Sequence, residues 1–191
     1  MYIDYQSFSG ELTSSLESAG WYPGRRVDLA TEFEFNRTQG YNLHPYAREF
    51  LEAFHGIEVE PLPTSDPGLQ YCDPLIVDVY LGAHGDSADT KWLNRELGGH
   101  WYPVGEWNSK MALYIDSTGA VVCTGLGWHW FLGPSIEESL ELAVRLHRPL
   151  RCLNLRPGTA PAPPYDDGLW FKTSIENGKR IYEKQHYYPP K

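Results

Sequence analysis

The sequence predicts an α+β fold: a single domain whose mostly antiparallel sheet packs with about four helices, followed by a Pro-rich C-terminal arm and a small hairpin. Three observations predict it. Several stretches repeat apolar residues at helical spacing and stop at glycine. The run MALYIDSTGAVVCTG sets two β-rich stretches around Asp116-Ser117-Thr118-Gly119, which suits a hairpin turn. The order of signals is helix, extended, helix, strands, helix, hairpin, helix.

Phe8, Leu12, Leu16 and Ala19 recur at helical spacing, and Gly20 follows where a helix ends. A first helix over about 10–19 results. AGWYPGRRVD then leaves it extended, because Pro23 and Gly24 forbid continuation. The segment Leu29 to Leu43 carries no element signal. The second helix starts at Pro45 and stops at Gly56, with Tyr46, Phe50 and Phe54 on one face beside Ala47 and Leu51. IEVEPL alternates apolar and acidic residues, the period of a half-exposed strand that points Glu58 and Glu60 to solvent. PLIVDVYLG, Pro74 to Gly82, reads as a second strand.

A third helix covers about Ser87 to Leu97, with Trp92, Leu93 and Leu97 inward and Gly98 as its stop. YPVG, Tyr102 to Gly105, reads as a turn. In GWHWFLG, alternation puts Trp128 and Trp130 on one sheet face and His129 on the other. SIEE, Ser135 to Glu138, fits a capping box opening the last core helix, which runs through Ile136, Leu140 and Ala143 to about His147. Arg156 to Gly168 is a Pro/Gly-rich linker, and WFKTSI and KRIYEKQ flank Asn177-Gly178 as a hairpin. The division expected is a core domain, 1–149, and a C-terminal extension, 150–191.

Charge separates the same two parts. Residues 1–149 hold 21 acidic and nine basic residues, a net of −12; residues 150–191 hold four and seven, a net of +3. Within the core, Glu49, Glu52, Glu58, Glu60, Asp66, Asp73, Asp78, Asp86 and Asp89 follow one another with no Lys or Arg between them. Runs of one charge are ordinarily solvated faces. Uncompensated like charges also cost stability, which an oppositely charged partner relieves. Glu58, Glu60, Asp66, Asp73, Asp78, Asp86 and Asp89 are therefore candidates for contacts with a basic protein. The extension is expected to pack Trp170 and Phe171 on the core, with Lys172, Lys179, Arg180 and Lys184 near its acidic side, or else to act as an arm that grips the partner.

A net charge of −9 argues against nucleic acid or anionic membrane as partner. No apolar run approaches a membrane span. MYIDYQSFSGELTSS lacks the basic and apolar regions of a signal peptide, and Cys72, Cys123 and Cys152 form no CxxC or disulfide framework. A reduced, cytoplasmic setting is expected. P-loop, dinucleotide, HExxH, GxSxG and zinc-deaminase motifs are all missing, so no catalytic residue, cofactor, metal or small-molecule substrate is assigned. A metal-dependent hydrolase built on His84, His100 and Asp116 is the weakest alternative.

The ordered motifs carry a resemblance. Ala19-Gly20-Trp21, Pro23-Gly24-Arg25 and Val27-Asp28 form an AGW-PGR-VD opening. Ala47, Phe50, Leu51 and Gly56 follow as A-x-x-FL ending in glycine. Then come Asp73-Pro74-Leu75, the YPVG with Pro103 and Gly105, a D-x-x-G turn ending at Gly119, and LGPSIEESLELAV. From Leu12 to Leu146 this order resembles the SUKH superfamily and, within it, the third family of immunity proteins of bacterial polymorphic toxin systems. The resemblance implies a non-enzymatic protein that binds a cognate toxin, a nuclease or deaminase, in the cytoplasm. A regulatory scaffold of the same fold that binds another cellular protein is the alternative. Gly20, Trp21, Pro23, Gly24, Arg25, Asp28, Phe50, Leu51, Gly56, Pro103, Gly105 and Gly119 then read as architecture. Trp21 is expected to bury its indole. Of Arg25 and Arg26, one should find a partner elsewhere in the chain and the other face solvent.

Overall fold

The computed structural model describes residues 2–63, 73–83, 87–108, 110–125, 127–148, 150–154, 169–177 and 179–186. Among them are six α-helices: α1 (Gly10–Ser18), α2 (Ala30–Thr38), α3 (Pro45–Phe54), α4 (Val79–Ala83), α5 (Ser87–Leu97) and α6 (Ile136–Arg145). Seven strands pair in chain order, each antiparallel to the next: β1 (Ile57–Val59), β2 (Leu75–Val77), β3 (Trp101–Trp107), β4 (Met111–Asp116), β5 (Val121–Gly125), β6 (Trp128–Gly133) and β7 (Arg151–Cys152). The α+β arrangement with an antiparallel sheet is as the sequence predicts. β8 (Leu169–Glu176) and β9 (Lys179–His186) form the expected hairpin, a separate two-stranded sheet.

Alternation distributes the strands' side chains to two cores. Met111, Leu113 and Ile115 join Val121, Cys123, Trp130 and Leu132 on the face that buries α1, α3 and α6. Ala112 and Tyr114 join Val122 and Phe131 on the opposite face, under Leu93 and Leu97 of α5. All six residues of β4 are consequently buried. Residues 150–154 belong to this packing. Leu150, Cys152 and Leu153 are buried, and the Leu153 amide donates to the His129 carbonyl at 2.7 Å. β8 runs beside β7 and α5. The linker 156–168 and the side chains of Trp170 and Phe171, expected to pack on the core, lie outside the described residues.

Three local expectations need correction, and the first two raise about four helices to six. Leu29 to Leu43 contains α2, which buries only Phe33 and Asn36 and leaves Phe35 exposed, so its apolar stripe is too thin to read. PLIVDVYLG is a strand only over Leu75–Val77. Asp78 then turns the chain by accepting the Tyr80 and Leu81 amides at 2.7 and 2.9 Å, and α4 begins. YPVG is not a turn but lies inside β3, whose register shifts between Pro103 and Gly105. The glycine there is required by crowding, since a Cβ at Gly105 would sit on the Ile76 carbonyl oxygen. Gly82 of α4 lies over the same bulge, where a Cβ would come within 2.6 Å of the Gly105 amide nitrogen.

The opening motif is a clamp on α3. Trp21 is buried, with its ring stacked on Phe54 at 5.8 Å and 16°. Arg25 donates from Nη1 to the Ala53 carbonyl and from Nη2 to the His55 carbonyl, both at 2.8 Å. These are orphan acceptors at the negative end of a helix, so a guanidinium satisfies both their hydrogen bonds and their charge. Arg26 faces outward and pairs with Glu52 at 3.2 Å. Asp28 caps the Ala30 amide at 3.1 Å rather than pairing with either arginine.

At the other end of α3, buried His44 accepts the Ala47 amide at Nδ1, 3.3 Å away, which leaves Nε2–H to donate to the Ile115 carbonyl at 3.1 Å. Asp116 stabilises the β4–β5 turn in the same manner. Its Oδ1 accepts the Thr118 and Ala120 amides at 2.9 and 2.8 Å, while Gly119 takes φ +92° against the Tyr46 ring.

Two predictions follow from α3. Arg25→Ala removes two charge-assisted bonds and should cost about 2 kcal/mol, roughly 5 °C in thermal melts. Arg25→Lys should recover only part, because one ammonium does not span both carbonyls. Burial pushes the His44 imidazole below its ordinary value. The unfolded chain therefore takes up that proton first, and stability present above about pH 6.5 is lost as pH falls. Melts between pH 7.5 and 5 should show the loss. His44→Asn, which keeps a side-chain cap without titrating, should flatten it.

Candidate partner-binding surface

The structure sorts the acidic run by what each carboxylate touches. Glu49 is buried and accepts the Tyr2 and Ile3 amides at 2.8 and 3.2 Å. Glu52 pairs with Arg26 and Arg48. Asp78, expected on the docking surface, caps α4 instead. Asp89, expected there too, turns inward from α5. Its Oδ2 accepts from Thr124 Oγ1 at 2.6 Å, and its Oδ1 lies 3.7 Å from His129 Nε2. His129 is itself buried, stacked on Trp92 with ring centroids 3.9 Å apart. His129 holds the Asp89 carboxyl below the usual carboxylate range against the opposing effect of burial, and Thr124 adds to the effect. Asp73 is exposed, as are Glu58 and Glu60, while Asp66 and Asp86 lie outside the described residues.

Sheet register assembles a surface from what remains. Glu58 stands opposite Ile76, Ile76 opposite Glu106, Glu106 opposite Ala112, Ala112 opposite Thr124, and Thr124 opposite His129. Residues directly opposite share a face, so these six form one row across β1 to β6. Where the row passes β5 and β6, α5 covers it. At its other end Glu58 is exposed and Ile76 and Glu106 are half-buried. Two strand spacings put Glu58 and Glu106 about 10 Å apart with the isoleucine between them. Glu60, two residues on from Glu58, points to the same side.

Glu106 lies outside the acidic run and was not among the predicted residues. Its only sequence signal is that it is the single charge in WYPVGEW. No Lys or Arg occurs in β1, β2 or β3. Glu58 and Glu60 also rim a groove of about 930 Å³ between α1 and residues 58–63, whose other charged lining residue is Glu11.

Other groups raised by the sequence are engaged elsewhere or apart. The Asp116 carboxylate holds its turn, His100 is exposed, and His84 lies outside the described residues. Among the described residues no three His, Cys, Asp or Glu side chains gather as a metal site, and no helix is long and apolar enough to cross a membrane. The signature glycines serve backbone geometry: Gly20, Gly24 and Gly56 take φ of +94°, +82° and +77°. Phe50 and Leu51 are core.

The family model described as SUKH-3 immunity protein matches residues 8–145, and the chain belongs to that family. No curated protein and no solved structure matches it. The matched span includes the Arg25 clamp, the Gly105 bulge, the Asp116 turn and the open end of the Glu58 row. It stops before β7 and the C-terminal hairpin.

Asp89 and Glu58 should behave oppositely on substitution. Asp89→Asn removes the charge beside His129 and should lower the melting temperature at pH 7 by a few degrees, about 1 kcal/mol. Glu58→Gln, at an exposed carboxylate, should leave it within about 0.5 kcal/mol of wild type. Differential scanning fluorimetry on both variants checks the contrast.

Proposed function

We propose that this SUKH-3 protein confers immunity by binding a basic toxin and covering its positively charged surface, without making or breaking bonds. The observation that carries this reading is the open end of the cross-strand row. Glu58 and Glu106 flank Ile76 on three strands that hold no basic residue, and Glu60 follows just past β1. An apolar group flanked by like charges fits an interface in which the centre supplies burial and the rim steers approach. A toxin that acts on nucleic acid, a nuclease or a deaminase, has a basic cleft for phosphates. Carboxylates on a fixed sheet face occupy such a cleft as phosphates do. The proposed setting is the cytoplasm of the toxin-producing cell.

The β8–β9 hairpin of the basic extension lies toward the other end of the sheet. β8 lies beside β7, and β1 and β7 are the two ends of the sheet. Six strand spacings separate them by on the order of 25–30 Å, against a screening length of about 8 Å at physiological salt. We assign the β8–β9 hairpin to a supporting role beside β7 rather than to the docking surface.

The test is co-expression with the toxin encoded beside the gene. A stable complex at micromolar concentration is expected. Glu58→Lys, Glu60→Lys and Glu106→Lys together should slow association about tenfold or more at low salt, with little change in melting temperature. The difference should shrink as salt rises. No complex at low or moderate salt overturns the reading.

A further inference from the structure

The groove between α1 and residues 58–63 has two unlike walls. α1 buries Leu12 and Leu16 in the core and turns Glu11, Ser14, Ser15 and Ser18 into the groove. Positions 11, 14, 15 and 18 are one helical face, and beyond Glu11 its side chains are no larger than a hydroxymethyl group. The Ser18 hydroxyl is already bonded to the Ser14 carbonyl at 2.8 Å. A partner's backbone can approach such a wall at the 8–10 Å axial separation of packed helices. The opposite wall is extended chain bearing Glu58 and Glu60. Glu11 is held by Arg145 at 2.8 Å, so among the described residues those two carboxylates are the unpaired charge of the groove.

We propose that this groove receives one basic helix of the toxin, laid along the serine face of α1. The inference rests on the toxin-binding reading above and specifies how the partner is held. Charge complementarity sets the sign, because no Lys or Arg among the described residues lines the groove. The chain geometry selects a helix over a strand. β1 contributes only three residues, and Pro61 and Pro63 remove the amides that an added strand would pair with. Spacing agrees as well. Glu58 and Glu60 are about 6.7 Å apart along extended chain, close to the rise of about 6 Å between helix residues four apart. Two Lys or Arg at i and i+4 therefore meet both. At nine residues, α1 is about 13 Å long and offers contact for some two and a half turns.

A photo-cross-linking amino acid placed at Ser14 of the full chain, in complex with the toxin encoded beside the gene, tests this. The expected cross-link maps to a single helical toxin segment carrying basic residues four apart. Ser15→Arg should raise Kd at least tenfold with the melting temperature unchanged. A complex that forms without cross-linking at Ser14, is unaffected by Ser15→Arg and is still weakened by Glu106→Lys overturns the groove while the toxin reading stands. A cross-link to an extended or acidic toxin segment overturns the helix. Absence of any complex overturns both.

Discussion

Burial of the middle strands on both faces is the constraint from which the rest follows. β4 has no exposed residue, and β5 and β6 are nearly as enclosed. A sheet buried on both sides needs a helical layer on each, and this chain divides its helices accordingly. α1, α3 and α6 cover the face of Leu113 and Trp130, and α5 covers that of Tyr114 and Phe131. One helix of eleven residues does not span seven strands, and toward β1 the second face carries Glu58, which is exposed, with Ile76 and Glu106, which are half-buried. The proposed docking surface is this end of the sheet.

The signature motifs hold that architecture through contacts within the chain. Arg25 satisfies two carbonyls at the end of α3, Trp21 stacks on the same turn, and Asp116 holds the β4–β5 corner. Gly105 lets β3 pass close to β2, which fixes the register that places Glu106 beside Ile76. Of the signature residues, Trp21 is buried and Arg25 is bonded to backbone, whereas Glu58 and Glu60 of the proposed docking surface are exposed.

Acidity along the chain and acidity in space are different quantities. Nine consecutive acids looked like one surface. Glu49, Glu52, Asp78 and Asp89 instead cap, pair or stabilise turns, because a carboxylate near a helix start or an unpaired amide is more stable there than in water alone. Neither periodicity nor composition reveals which acids those are. α2 escaped the sequence for a similar reason. Its single buried apolar residue, Phe33, gives no stripe, and its position depends on neighbours that the sequence does not name.

By itself the sequence determined the features whose causes are local. The stops at Gly20, Gly56 and Gly98, the cap at Ser135, the turn at Asp116, the alternation of Trp128, His129 and Trp130, and the charge contrast between core and extension all depend on residues a few positions apart. Tertiary structure alone decided which carboxylates bond within the chain and which are exposed, that Glu106 joins Glu58, and that the basic hairpin sits beside β7. Those facts depend on register between strands distant in the chain, where a shift of one residue reverses every side chain's face.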